Sequence, residues 1–385
     1  MNTTLTIKNG LRRFDRSRKR QMQSLLGGLL SALNNRSICE ADLLKPEDTK
    51  RIVIVRNNSR VGNTVFLIPF IRQVQQFYPD AEITLVQKVP WQQQIFENMG
   101  ISHFVFTQFS FKNLFQCIRN LRALSRTPFD LCLMPFGSSQ DSITCALIKA
   151  KNKVASTHEQ YNKAFTHTFE PQIVYSHASL RCLSLLPRLA HQSMHRTDHK
   201  MAFTEQELEI GKAARQAISS ENQRVMSYFR GARGDKKMSD QVWQSILEKF
   251  DAASDKPIRW VEIMGPEIAK PLSKCDHAYR ASSLRELACF LKQTDGFISC
   301  DTGPLHLADA ADVPCIGLYT HTNPDVYGLL GEHCVHIDDI EGFDAHKVLQ
   351  DVVTSKHSPT TTHGISPNFH EQHLHDVQLG QLQAL

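Results

Sequence analysis

Residues 301–308 read Asp301-Thr302-Gly303-Pro304-Leu305-His306-Leu307-Ala308, directly after the apolar run Phe297-Ile298-Ser299-Cys300. A buried strand followed by such a turn, with Pro at the first helical position, opens a helix whose first N–H groups lack intrahelical partners. The N–H groups after Thr302, beside the positive helix end, form a seat for an anion such as a pyrophosphate. Asp301, at the strand end, is placed to bind sugar hydroxyls. The next apolar run, Cys315–Tyr319, ends in Thr320-His321-Thr322-Asn323-Pro324-Asp325. A right-handed βαβ unit carries both loops to one sheet edge, so two polar loops converge there.

Two further loops follow apolar runs. One is Arg56-Asn57-Asn58-Ser59-Arg60-Val61-Gly62-Asn63-Thr64, where Gly62 permits close backbone approach and Asn63 or Thr64 can cap a helix. Taken alone it also reads as an ordinary βα turn. The other is Arg230-Gly231-Ala232-Arg233-Gly234-Asp235-Lys236-Lys237-Met238. Its small residues let a ligand approach, and Lys236 or Arg233 can pair with phosphate; the alternative is a solvated basic turn. Neither G-x-G-x-x-G nor G-x-x-x-x-G-K-[ST] occurs in these loops, which removes support for dinucleotide and P-loop chemistry. His191, His195 and His199 share one helical face, yet no carboxylate completes a catalytic metal site, so no metal is expected. Lys149, Lys151 and Lys153 read as a solvated run or as a contact for an acidic acceptor.

These loops need a scaffold, and the chain alternates strand and helix from Arg51 onward. Arg51–Val55, Glu82–Val86, Phe104–Phe106, Phe129–Met134 and Val154–Ser156 are expected strands, with a helix over Thr64–Phe77. After a polar helical stretch at about 177–200 the alternation restarts, with strands at Arg224–Phe229, Ile258–Met264, Gly296–Cys300, Cys315–Tyr319 and Cys334–Ile337. Helices are expected near Asp240–Phe250, Leu284–Lys292 and Pro304–Asp312. The pattern implies an α/β protein with two doubly wound, Rossmann-like domains. The expected division is a leader and linker over 1–50, one domain over 51–200, a second over 201–354, and a His-rich tail over 355–385.

The composition fits this reading: 41% of the 385 residues are hydrophobic, which excludes a wholly disordered chain or a disulfide scaffold. The net charge of +5 is uneven. Residues 1–36 carry eight basic side chains and one acid, so the leader is +7 and the rest of the chain is −2. A body this close to neutral has no nucleic-acid footprint. Leu11, Phe14, Met22, Leu25, Leu26, Leu29 and Leu33 alternate with the leader's basic residues. That suits an amphipathic helix on an anionic membrane surface, or equally a cap or a basic tail. The ten cysteines contain no C-x-x-C and sit mostly in apolar runs, as reduced thiols of a cytosolic protein do. No run is long enough to span a bilayer, and no secretion signal is read.

Over about residues 51–330 the chain resembles glycosyltransferase family 9, the lipopolysaccharide heptosyltransferases. The family's Arg-[Ile/Leu/Met]-Gly-Asp loop corresponds to Arg60-Val61-Gly62-Asn63, followed by Pro69. Its Asp-[Ser/Thr]-Gly-x-x-His-[Leu/Ile]-Ala motif corresponds to Asp301–Ala308, followed by Val313-Pro314. Its Gly-Ala…Lys-x-Trp corresponds to Gly231-Ala232…Lys236-Lys237-Met238, with Met in place of Trp. The resemblance implies a GT-B fold whose two domains face a central cleft, with an N-terminal acceptor domain and a C-terminal nucleotide-sugar domain. It implies inverting, metal-independent and cofactor-independent transfer of a heptose, usually from the ADP sugar, to a lipid-anchored lipopolysaccharide core. The enzyme would work at the inner face of the cytoplasmic membrane. Donor-binding residues would be Gly231, Ala232, Lys236, Asp301, Thr302, Gly303, His306 and Thr320. Arg60, Gly62 and Asn63 would face the acceptor, and Asn63 and Asp301 would be catalytic. The family's loop Asp, the base on the acceptor hydroxyl, is Asn63 here, and a neutral amide does not accept that proton. Substitutes considered are Asp141, Glu159 and Asp325. The alternatives are a non-catalytic nucleotide- or glycan-binding relative at the membrane, or a GT-B transferase using another sugar.

Overall fold

The computed structural model describes residues 28, 30–32, 42–107, 114–124, 126–158, 160–170, 175–190, 198–219 and 223–356. Nearly all of the leader and of the C-terminal tail, together with Glu159, His191 and His195, lies outside the described residues.

Two parallel six-stranded sheets form the frame. The first contains β1 (Arg51–Arg56), β2 (Glu82–Gln87), β3 (His103–Phe106), β4 (Phe129–Met134), β5 (Ala150–Ser156) and β6 (His167–Phe169), in the order β3-β2-β1-β4-β5-β6. The second contains β7 (Arg224–Phe229), β8 (Ile258–Ile263), β9 (His277–Tyr279), β10 (Gly296–Cys300), β11 (Cys315–Leu318) and β12 (Cys334–Ile337), in the order β12-β11-β10-β7-β8-β9. Runs such as Ile52-Val53-Ile54-Val55 are buried throughout, as strands covered on both faces must be. This is the α/β, GT-B architecture expected from the sequence.

The strand order fixes where a ligand can enter. Each sheet reverses its winding once, between β1 and β4 in the first and between β7 and β10 in the second. Crevices open at such switch points, beyond the carboxyl ends of the strands. The loops after β1, β7 and β10 are three of the four that the sequence singles out.

Three local expectations are corrected. The helix expected over Thr64–Phe77 is two helices, Val61–Val65 and Ile68–Phe77. Pro69 supplies no N–H, so the hydrogen-bond ladder breaks there. The stretch at 177–190 is a tight 3-10 turn, Arg181–Leu185, leading into Leu186–Ala190, with Leu183, Leu185, Leu186 and Leu189 buried. Its apolar face therefore outweighs its polar composition. The lysine run is not a loop. Lys151 and Lys153 lie on β5, where Lys151 pairs with Asp130 at 3.0 Å. Lys153 is buried and donates to the Ala146 carbonyl at 3.2 Å.

The two halves are joined by packing as well as by the chain. The largest apolar cluster runs from Ile52, Ile54 and Leu67 in the first half to Leu305, Leu307 and Phe297 in the second. Arg285, on helix Leu284–Lys292, is buried and donates to the Gln94 carbonyl at 3.0 Å, to the Ala202 carbonyl at 2.7 Å and to Glu207 at 2.7 Å. Across the cleft, the Ala178 N–H donates to the Val326 carbonyl at 2.8 Å.

Candidate functional site

Helix Gly303–Ala310 begins at the end of β10, with Thr302 as its N-cap in extended conformation. Gly303 is the first helical residue and Pro304 the second, one position later than expected for proline. No side chain caps this end, and among the described residues no protein acceptor takes the N–H of Gly303 or Leu305. These are the unpaired donors an anion requires. Ser299 donates to the Phe229 carbonyl at 2.9 Å and lies 2.9 Å from the Thr302 hydroxyl, which ties the turn to β7.

Asp301 organises the rest. Its Oδ2 accepts from Lys236 Nζ at 2.8 Å, and its Oδ1 lies 3.0 Å from His306 Nε2. Lys236 Nζ also donates to the Asp301 carbonyl at 2.9 Å. Burial pushes the Asp301 carboxyl up, but the hydrogen bonds from His306 and Lys236 outweigh it and hold the pKa at about 2. The carboxylate is thus ionised and clamped. Two of the three ammonium protons of Lys236 are committed, leaving one donor for a ligand. Sequence reasoning gave Lys236 to phosphate and Asp301 to sugar; the fold first gives them to each other.

The loop after β1 meets this turn directly. A Cβ on Gly62 would stand 2.9 Å from His306 Cδ2, and one on Gly303 would stand 2.8 Å from Val61 Cβ. The glycine requirement at both positions comes from helix-to-helix approach across the cleft. The ring of Phe66 packs edge-on against His306 at 4.7 Å. Arg60 is exposed, and Asn63 faces a cavity of about 360 Å³ between the halves.

The loop after β7 is less open than expected. A Cβ on Gly231 would lie 2.5 Å from Phe229 and 2.7 Å from Glu267, and Ala232 is buried in the apolar cluster of the second domain. Arg230 is taken by Asp240 at 2.9 Å and by Glu262. Arg233 is exposed and without a charged partner among the described residues. Thr320 is exposed on the loop after β11, beside the end of β10.

Behind the turn stand His199, which the sequence singled out, and His177, which it did not. His177 Nε2–H donates to the Gly328 carbonyl at 3.0 Å, while its Nδ1 accepts from the Ser179 N–H at 3.3 Å. Burial lowers its pKa to about 4, so it is neutral. His199 lies 3.3 Å from Asp309, whose oxygens also accept the N–H groups of Leu330 and Gly331 at 2.9 Å. His199 is therefore spoken for by Asp309, and no metal-binding cluster occurs among the described residues. Asp141 is fully buried, accepting the Asn57 N–H at 2.6 Å, and Asp325 lies on the exposed short helix Pro324–Tyr327. Nine cysteines are described, all free, and seven are buried. No described helix is long and apolar enough to cross a membrane.

The sequence profile of Glycosyltransferase family 9 (heptosyltransferase) matches residues 279–356, which include β10, Asp301 and helix Gly303–Ala310. No curated protein matches the sequence. Among solved structures, a family 9 glycosyl transferase from Veillonella parvula is 17% identical with a TM-score of 0.66, covering 87% of this chain and 97% of its own. E. coli heptosyltransferase WaaC with ADP is 17% identical with a TM-score of 0.60, over 78% and 98%. E. coli ADP-heptose LPS heptosyltransferase II is 13% identical with a TM-score of 0.63, over 80% and 100%. The profile match over 279–356 and the shared two-sheet fold together show that this chain has the GT-B fold and resembles glycosyltransferase family 9, the heptosyltransferases.

Proposed function

We propose that the protein is a glycosyltransferase that moves a heptose, or a related sugar, from a nucleotide sugar to a lipopolysaccharide core acceptor. The observation that carries this is the uncapped helix start at Gly303, set beside Lys236 and Asp301 and opposed across the cleft by the loop that bears Asn63. The unpaired N–H groups and the remaining donor of Lys236 would take the donor's diphosphate. Asp301, held by Lys236 and His306, keeps lone pairs for sugar hydroxyls. Stabilising charge on a departing nucleoside diphosphate is the electrostatic part of such a transfer, and Lys236 with the free N–H groups of the helix start would supply it.

The ADP form of the donor is supported by solved structures of E. coli heptosyltransferase WaaC with ADP and with ADP-2-deoxy-2-fluoro heptose. An inverting transfer needs a base on the acceptor side, and Asn63 cannot be it. Asp141 is enclosed and already accepts from Asn57, so it is a poor substitute. Asp325 is the exposed carboxylate on the helix that brings Tyr327 to the cavity, and we assign it the base. The +7 leader would hold the enzyme on the anionic inner face of the cytoplasmic membrane, where a lipid-anchored acceptor lies.

A second reading, a nucleotide- or glycan-binding relative without turnover, is favoured by one observation: among the described residues, no carboxylate lines the cavity that holds Asn63. Thermal-shift titration with ADP-heptose, ADP and UDP sugars tests donor binding, since a ligand at a hundred times its Kd stabilises by about 2.7 kcal/mol. Binding with transfer to core glycan supports the transferase. Binding without transfer or hydrolysis supports the second reading, and no binding overturns both.

A further inference from the structure

The cavity between the halves contains a buried positive charge whose ion pair, with Asp141, leaves part of the guanidinium without a hydrogen-bond partner. Arg56 ends β1 and lines the cavity, with only 9% of its surface exposed. Its guanidinium carbon lies over the Phe136 ring, 4.5 Å from the centroid. Among the described residues its one ionic neighbour is Asp141, and at 3.6 Å that contact is too long for a hydrogen bond. Arg56 Nε is buried with no hydrogen-bond partner, and Asp141 Oδ2 has none either. A buried guanidinium normally has most of its five donors satisfied.

Asp141 is a weak counter-ion for it. Burial raises the Asp141 carboxyl, against the Asn57 N–H and Arg56, so its charge is costly to keep. A second arginine faces the same space. Arg181 spends Nε on the Ser176 carbonyl at 3.0 Å, and no other group among the described residues accepts from it. The remaining polar lining, Asn63 and Ser156, is neutral. Tyr327 closes the cavity from the second half, held there by the Ala178–Val326 hydrogen bond. Two guanidinium groups with no carboxylate among the described lining residues select an oxyanion, and the aromatic walls of Phe66, Phe136 and Tyr327 suit a sugar ring.

We propose that Arg56 and Arg181 form an oxyanion subsite in this cavity, which takes a carboxylate or phosphate carried by the acceptor sugar. Its assignment to the acceptor rests on the glycosyltransferase reading; the subsite itself does not. The oxyanion would sit on the Nη side of Arg56, opposite Asp141, and bridge to Arg181.

The test is calorimetric titration of the full-length protein with glucuronate, inorganic phosphate and neutral glucose, each against wild type, Arg56→Gln and Arg181→Gln. ADP titration of all three proteins serves as the control. At least one anion is expected to bind wild type at least tenfold more tightly than glucose. Each substitution should weaken that anion at least tenfold and leave ADP within twofold. Uptake of glucuronate alone identifies a carboxylate, and uptake of phosphate alone a phosphoryl group. Arg181 is exposed, so Arg181→Gln tests the site even if Arg56→Gln does not fold. Equal anion binding by wild type and Arg181→Gln, or no anion binding at all, overturns the proposal. Arginine-dependent anion binding without ADP binding would keep the subsite and remove the transferase reading.

Discussion

Gly62 and His306 touch across the cleft: a single added carbon at residue 62 would come within 2.9 Å of the imidazole. His306 cannot easily yield, because Asp301 holds its Nε2 at 3.0 Å and Phe66 covers its face. The loop after β1 and the helix Gly303–Ala310 are thus fitted closely to one another.

Gly62→Ala is accordingly expected to cost about 1–3 kcal/mol through overpacking. Gly137→Ala is the control, because its Cβ would meet only Tyr161 at an ordinary 3.8 Å. That change should fall within about 0.5 kcal/mol of wild type. Urea unfolding of both variants checks the contrast, and equal stabilities would refute the fit.

Asp301→Asn removes the charge that orders Lys236 and His306. The expected loss is about 2 kcal/mol at neutral pH, from hydrogen bonds to charged groups. The sign with pH follows from the pKa of about 2, which lies below the usual carboxylate value. Asp301 stabilises the fold fully above pH 4, and that contribution is lost as pH falls toward 2. The difference between wild type and Asp301→Asn should therefore shrink over that window in acid titrations. Donor affinity should fall in the same variant at pH 7.

His177 behaves differently. Its pKa of about 4 lies below the value of an unfolded histidine, so the unfolded chain takes up a proton first. The stability it contributes is complete above pH 6.5 and is lost as pH falls through 4, by up to about 3 kcal/mol. His336, also lowered by burial, adds to this limb, whereas Asp309 raises His199 against the effect of burial and opposes it. His177→Asn should flatten the wild-type slope between pH 6.5 and 4, as read by thermal melts. An unchanged slope would show that the burial of His177 does not govern it.

Arg285 joins the two halves through the carbonyls of Gln94 and Glu97. Arg285→Ala leaves Glu207, whose pKa is held at about 2 by that arginine, without its main partner. We expect a loss of about 3 kcal/mol, together with weaker coupling between the halves in hydrogen exchange.

The acceptor-side base gives a kinetic prediction. If Asp325 takes the acceptor proton, Asp325→Asn lowers kcat by about a hundredfold or more and leaves the donor KM near wild type. Asn63→Asp is expected to raise kcat by restoring a carboxylate to the cavity. A fall in both kcat and donor affinity in Asn63→Asp would instead give the amide a role of its own.

The sequence by itself determined the alternation of strand and helix, the two sheets, and the turn at Asp301–Gly303. Those follow from local patterns: runs such as Ile52–Val55 can only be doubly covered strands, and Thr302-Gly303-Pro304 can only begin a helix. Only the tertiary structure decided what the polar residues do. Lys236 and Asp301 lie 65 positions apart, and no spacing reveals that they bond before either meets a ligand. Gly62 and Gly231 look alike as small residues in βα loops, yet one admits His306 and the other is filled by Phe229 and Glu267. Asp141 and Asp325 were equal candidates as carboxylates until burial separated them. Local conformation is written in neighbouring residues, whereas charge compensation and access depend on which distant segments the sheet order brings together at its two switch points.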